Sequence, residues 1–443
     1  MREPQDPLES AGPWDAVVLG AGMGGLAAAV RLRRLASGQR RILVIDQAAW
    51  HTLRPKLPEA IGGACRCAVR LPLAELLSAR RISFLQAEVR AIDPWSRQVS
   101  VRTDGAHDWT VRYGALIVAL GSVPAPSPGP GGAAARALPL WSFEDACALR
   151  RRLGLLAARA RRQGDAEALS VAVLGGGFVG VEVASAVARL TGALVAGTPL
   201  RPVTTLVEAQ GGILPEQPPS FGRRVAAALR ARGVRVISGH RAAHVGPDAL
   251  LLDDGTRVPA TTLVWTGGVR PHPALAGLGP TDPGGAVPVS TGLDVRDLGD
   301  VFVVGDAARL PGPHPPRPFD HSAAGAAAMG RHAAANLAAR WRGRSERAFR
   351  LRPAPLLVEL DARHVLGLTA GGRRLVRPAP LLKQVALARH VWSVGGWRTL
   401  RAVFGETFWE PWRRRTPETD CPPPAAQDAV PVLLGGPGDG AGH

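Results

Sequence analysis

Lysine is nearly missing from this chain. Of 54 basic side chains only Lys56 and Lys383 are not arginine. Four cysteines, at positions 65, 67, 147 and 421, are too few and too scattered for a disulfide scaffold. Cys65 and Cys67 are spaced CxC, not the CxxC of a redox dithiol or a paired zinc site. No His/Cys cluster has metal-ligand spacing, so no metal is expected. These thiols read as reduced, in a cytoplasmic protein. No stretch reaches the roughly 20 apolar residues that span a bilayer. The N-terminal segment has no basic n-region, so no secretory signal is expected. No RNA- or DNA-binding motif accompanies the basic residues, which argues against nucleic acid as a partner.

What is present is globular. The 443 residues are 46% hydrophobic and 20% charged, enough for two or three domains with real cores. The formal charge of +18 is nearly all arginine. Most of it reads as a GC-rich genome spelling its cations as Arg; the remainder suits anionic dinucleotides or an anionic surface.

Two segments carry the chemistry. "DAVVLGAGMGG" places Gly20, Gly22 and Gly25 between a strand and a helix, and Asp46 ends the next strand, "RILVID". The first glycine permits a tight turn, the second lets a pyrophosphate approach the backbone, and the third lets helix and strand pack closely. The helix N-terminus then faces the phosphates with unpaired N–H groups, and the acid accepts the ribose hydroxyls. "AVLGGGFVGVE" repeats the pattern with Gly175, Gly177 and Gly180, and Glu208 ends the following strand. A carboxylate there favours a free 2′-hydroxyl over a 2′-phosphate, so NADH is expected rather than NADPH. "PATTLVWTGGVRP" closes this second unit with a strand and a glycine turn at Gly268.

Two fingerprints, each with its acid, suggest FAD and NAD. The expected fold is α/β, with two Rossmann-like dinucleotide-binding domains plus a smaller C-terminal region. The FAD-binding domain is assigned to residues 14–130 and 285–345, and the NAD(P)H-binding domain to 131–284. Residues 346–415 form the C-terminal region. Residues 1–13 and 416–443, rich in Pro and Gly, are expected to be disordered.

Together these motifs resemble the two-dinucleotide-domain flavoproteins, and within them the type II NADH dehydrogenases, over roughly residues 14–410. "IDQAAWHTLRPKLPEAIGG" is similar to that family's segment after the ribose acid, which runs past the flavin. The resemblance implies that Arg54 contacts FAD phosphates, that the backbone at Val89 meets the adenine, and that Gly121 sits at the domain crossover. "VFVVGDAA" matches the family's second FAD motif, which implies that Asp306 binds the ribityl chain with Gly305 allowing close approach.

Three residues are candidates at the redox centre. Glu182 lies, by resemblance, where nicotinamide and acceptor meet the flavin; the alternative is a first-turn acid that suits the helix dipole. Lys56 is either an ammonium against the flavin or an ordinary surface lysine. His321 either relays a proton to the acceptor or caps the helix that starts near Ser322. That helix places Ala324 and Ala328 where the family carries quinone-motif glutamines. The sequence also lacks the cysteine pair that disulfide reductases carry beside the flavin. "LLKQVALARHVWSVGGWRTLRAVFGETFWEPWRRR", residues 381–415, mixes Trp and Arg as a membrane-surface helix does, although Gly395 and Gly396 interrupt it.

The resemblance therefore implies an FAD-dependent oxidoreductase that takes hydride from NADH and passes electrons to a quinone or quinone-like acceptor. Peripheral membrane contact through 381–415, on the inner face of the cell membrane, and a homodimer are further expectations. A soluble acceptor, such as an electron carrier or a specialised metabolite, and a redox-sensing role remain alternatives.

Overall fold

The computed structural model describes residues 13–409 except 37, 65, 104–107, 126–136, 166, 313–321, 351–354, 370 and 376–378. His321 and the terminal segments 1–12 and 410–443 therefore lie outside the described residues.

The chain opens with β1 (Trp14–Leu19), α1 (Met23–Leu35) and β2 (Ile42–Asp46), followed by a short β3 (Trp50–Thr52). Then come β4 (Ser83–Gln86), β5 (Glu88–Asp93), β6 (Gln98–Arg102) and β7 (Asp108–Val118). The second unit contains β8 (Ala137–Pro139), α2 (Phe143–Gln163), β9 (Ser170–Leu174) and α3 (Phe178–Leu194). It continues through β10 (Val203–Glu208), α4 (Pro219–Arg230), β11 (Val234–Ser238) and β12 (Thr262–Trp265). The chain then returns with β13 (Val301–Val303) and α5 (Ala323–Arg340). A three-stranded antiparallel sheet follows: β14 (Leu356–Asp361), β15 (His364–Leu368) and β16 (Arg374–Leu375). Helix α6 (Ala379–Trp409) ends the described chain.

Two sheets organise these elements. The first runs β4-β2-β1-β7, with β13 also paired to β7 and the antiparallel β6 and β5 extending it. The second, β8-β12-β9-β10-β11, is parallel throughout. Parallel strands covered on both faces must be apolar along their length, and β1, β2 and β9 are almost wholly buried. This is the α/β architecture with two Rossmann-like cores that the paired fingerprints imply.

The run 113–124 reads as a buried strand ending in a glycine turn; β7 does stop at Val118, before Gly121 with its positive φ, but it starts earlier, at Asp108. Its first half pairs with β6 antiparallel, and its second half with β1 and β13 parallel. A separate strand, Ser122–Pro124, pairs antiparallel with Val269–Pro271, joining the two halves of the molecule. In the second unit, α3 continues to Leu194, so helix as well as loop takes up the long spacing between Gly180 and Glu208.

Candidate functional site

Both glycine turns are built as their spacing requires. Gly20 has φ of +89°, and a Cβ there would lie 2.5 Å from the Ala119 carbonyl oxygen, so only glycine fits. A Cβ at Gly25 would lie 1.8 Å from the Gly20 oxygen, because the start of α1 rests on the turn. Gly22, between them, has open space where its side chain would be. The second turn repeats this point by point: Gly175 has φ of +106°, Gly180 is pressed onto the Gly175 oxygen, and Gly177 is open. Each turn thus leaves one unobstructed approach to a helix N-terminus, the cradle a dinucleotide phosphate needs.

The acids stand where the βαβ geometry puts them. Asp46 accepts hydrogen bonds from the Ala21 N–H (2.6 Å) and the Ala48 N–H (2.8 Å). Burial raises its carboxyl pKa, and these two donors oppose the rise. Glu208 accepts from the Gly176 N–H (2.6 Å) and the Gln210 N–H (2.8 Å). It lies in the wall of a pocket of about 500 Å³ that is also lined by Gly175, Gly177, Phe178, Trp265 and Gly268. Gly268 adopts φ of +105° there. A volume of this size lies within the range of cofactor pockets.

Around the first turn, Ser122 Oγ donates to Asp306 Oδ2 at 2.9 Å, between two glycines of positive φ, Gly121 and Gly305. Arg54 stacks on the Trp141 ring at 3.7 Å, with Asp306 and Asp46 as the carboxylates acting on its charge. Val89 is buried in β5, paired with Val101 of β6. The protein therefore gathers Gly20, Gly22, Asp46, Arg54 and Asp306 around one turn, and Gly175, Gly177, Glu208 and Gly268 around the other. These features fit two dinucleotides on observations of the chain itself: two open cradles and two acids held by backbone N–H groups.

Glu182 and Lys56 meet in a cluster that sequence reading did not assemble. Lys383 Nζ of α6 lies 2.9 Å from Glu182 Oε1 of α3 and 2.9 Å from Glu359 Oε2 of β14. Glu182 Oε1 also accepts the Glu359 N–H at 2.9 Å. Lys56 Nζ pairs with Glu59 at 3.1 Å. A cavity of about 20 Å³, room for a water, lies among Glu59, Glu182, Glu359 and Lys383. Burial raises the pKa of Glu182, and Lys383 only partly offsets this because one ammonium serves two carboxylates. Burial alone would lower Lys383, but Glu182 and Glu359 outweigh it and hold the ammonium charged.

Two alternatives from the sequence are corrected. Lys56 is not a surface lysine: it is 2% exposed, between Glu59 and the Phe404 ring. Glu182 is not a first-turn acid: α3 begins at Phe178 and has no acid in its first turn. Glu59, Glu359 and the partnership of Lys383 were missed. The available signal was compositional, since a chain that writes arginine almost everywhere keeps lysine at two positions, one buried and one half-buried, both paired with carboxylates of the same cluster.

Of the acceptor helix, Ser322 caps α5 by accepting from the Gly325 N–H at 3.0 Å. Ala324 is exposed, and Ala328 is half-buried. His240 Nδ1 lies 3.2 Å from Asp253 and 3.4 Å from Asp254, a cluster the sequence spacing hid. These are ordinary ion-pair distances, and no further ligating group joins the three among the described residues.

A parallel sheet with a glycine turn and an acid, built twice in one chain, defines a two-dinucleotide oxidoreductase scaffold. The family model described as pyridine nucleotide-disulphide oxidoreductase matches residues 14–330, and the chain belongs to that family. Among curated proteins it is similar to demethylphylloquinone reductase NdbB of Synechocystis, 27% identical over 299 residues, covering 66% of this chain and 71% of that one. It is also similar to the type II NADH:quinone oxidoreductase of Staphylococcus aureus, 26% identical over 390 residues, covering 86% of this chain and 96% of that one. Among solved structures, NDH2 of Plasmodium falciparum in complex with NADH shares the fold. Its TM-score is 0.72 at 13% identity, over 89% of this chain and 98% of that one. The resemblance to type II NADH dehydrogenases thus holds among the chain's relatives.

Proposed function

We propose that the chain is an FAD-dependent NADH dehydrogenase that delivers electrons to a quinone at a membrane surface. The carrying observation is the pocket of about 500 Å³ over the second glycine turn, with Glu208 held by two backbone N–H groups in its wall. That carboxylate accepts the ribose hydroxyls of NADH and repels a 2′-phosphate. The first turn, with Asp46, Arg54 and Asp306, holds FAD. Bound there, FAD would supply the redox centre between NADH and the acceptor, which no side chain of the protein can provide. The overall change, NADH + H⁺ + quinone → NAD⁺ + quinol, requires a proton from solvent. Glu182, with its raised pKa and its hydrogen bond to Lys383, is suited to hold that proton near the acceptor.

The surface of α6 supports membrane contact. Leu381, Val385, Trp392 and Trp397 are all more than half exposed, with Arg398 and Arg401 alongside. Among the described residues no helix is long and apolar enough to cross a membrane, so the contact is peripheral, on the inner face of the cell membrane where NADH is available.

A soluble acceptor is the second reading, favoured by the exposed Ala324 in place of a quinone-motif glutamine. Anaerobic mixing of flavin-loaded protein with NADH separates the two. Rapid bleaching followed by reoxidation with a quinone is the expected result. Reoxidation only by a soluble carrier transfers the assignment to the second reading. Slow bleaching with no reoxidation leaves a redox sensor.

A further inference from the structure

His51 of β3 and His390 of α6 are 339 positions apart in sequence and bonded in the interior. They are 1% and 6% exposed. His51 Nδ1 lies 2.7 Å from the Ala21 carbonyl oxygen, and the two Nε2 atoms are 3.2 Å apart. This geometry assigns both tautomers. A carbonyl can only accept, so His51 donates from Nδ1 and offers a lone pair at Nε2. His390 then donates from Nε2, and its Nδ1 is left as a buried acceptor with no partner. The nearest acting charges are cationic and oppose protonation of either ring. Arg54 acts on His51, and Arg331 of α5 acts on His390, with Arg389 and Arg31 beside Arg331.

Ala21 belongs to the first glycine turn. A trans peptide holds its C=O and N–H antiparallel. Anchoring the Ala21 oxygen to His51 therefore turns the Gly22 N–H the opposite way. The Ala21 N–H is itself fixed by Asp46. Ala21 is thus held through both of its peptides: the one before it by the ribose acid, and the Ala21–Gly22 peptide that carries the cradle N–H by an imidazole whose partner lies in the C-terminal helix.

We propose that His390 and His51 are positioning residues that couple docking of α6 to dinucleotide binding at the first glycine turn, so that each stabilises the other. Coupling between two binding events is reciprocal: a docked α6 presets the Gly22 N–H, and a bound dinucleotide tightens α6. The same helix carries Lys383 and the exposed Trp392 and Trp397, so the acceptor end of the site is set firmly only when the cofactor is in place. The coupling is partial, since Val391, Val394 and Val403 of α6 are also buried in the core. The inference rests on the reading of the first turn as the FAD site.

The test uses the full chain stripped of flavin and titrated with FAD. Flavin fluorescence reports affinity, and hydrogen exchange of peptides from 379–409 reports docking. In the wild type, FAD is expected to slow exchange across α6. His390→Leu is expected to weaken FAD binding about tenfold, the scale of one lost buried hydrogen bond, and to abolish the FAD-dependent protection. His390→Gln, whose amide can donate from nearly the same place, is expected to restore most of both. Exchange in wild-type α6 that ignores FAD overturns the coupling whatever the variants do. So does equal FAD affinity in all three proteins. A wild type that takes up no FAD overturns the cofactor reading and the coupling with it.

Discussion

Lys56 and Lys383 lie at opposite ends of the primary structure and within one charge cluster of the fold. A compact ammonium on a flexible stem suits a position between carboxylates where a planar guanidinium does not, and Glu182 and Glu359 hold that of Lys383 charged. Lys383→Met leaves Glu182 and Glu359 with no shared cation, so the Glu182 pKa rises further. Quinone-dependent kcat is expected to fall, but by less than the roughly 10²–10⁴-fold that losing the acid–base group itself costs, since Glu182 remains. The limb of its pH profile that reports Glu182 should move upward, because the lost ammonium no longer offsets burial; an unmoved profile would remove Glu182 from the proton step. Glu208→Ala is expected to raise KM for NADH and to narrow the preference over NADPH, both read from steady-state kinetics with the two nucleotides. The glycines and their acids were legible because each set is local, bound by the length of one βαβ unit. Glu182 was visible by its motif, but its partner is 201 residues away. His51 and His390 carry no motif at all, and only the packing of α6 on the first turn joins them. Burial holds His51 at about 4 and His390 at about 3, below the ordinary imidazole value. Both rings are neutral in the fold, so their contribution is complete above about pH 6.5 and is lost as pH falls towards 4, where the unfolded chain binds the protons first. Wild-type Tm should therefore drop more steeply across that window than that of His390→Leu. Parallel Tm curves would argue that the two rings do not titrate on unfolding.

At the scale of elements, the fold depends on a close crossing between α1 and α5. A Cβ at Gly330 would lie 2.0 Å from the Gly24 oxygen, and one at Gly24 would lie 3.1 Å from the Ala326 oxygen. The helices meet backbone to backbone, which brings the start of α5 and its Ser322 cap against the first glycine turn. Gly330→Ala gains about 1 kcal/mol of helix propensity but removes the fit, and the clash with backbone outweighs that gain. It is expected to cost about 1–3 kcal/mol or more of stability, as overpacking does, measured by denaturant unfolding, with FAD retention falling in parallel. No loss of stability would mean that α5 moves away without consequence for the site. The glycine at 330 reads in sequence as one more small residue in an Ala-rich helix, so this contact was invisible before the fold. Helix α6 was partly legible. Its paired glycines do interrupt it: Gly396, with φ of +73°, is non-helical and divides the run into two helices that meet at a kink. What hid the split partnership of β7 is that one apolar run serves both pairings equally well, and only the neighbours decide which half pairs with which.

For the molecule as a whole, the charge of +18 and the exposed face of α6 act at different ranges. Arginines spread over the surface attract any anionic bilayer, but that attraction is screened beyond about 8 Å at physiological salt. Trp392 and Trp397, 61% and 70% exposed, act by insertion at the headgroup level and are insensitive to salt. The two contributions can therefore be separated in one vesicle flotation series. With anionic vesicles at low salt, wild type and a Trp392→Ala/Trp397→Ala variant should both float. At about 0.15 M salt the wild type should remain bound while the variant is largely released, because two interfacial tryptophans contribute on the order of 2–4 kcal/mol by the area they bury. Deleting the whole of α6 is a poorer experiment, since it also removes Lys383 from the charge cluster and His390 from His51. If wild type and variant leave the vesicles together as salt rises, the attachment is electrostatic alone and α6 is not the membrane face. The exposed tryptophans then become candidates for contact with a soluble electron acceptor, which is the outcome the reoxidation panel would have to match.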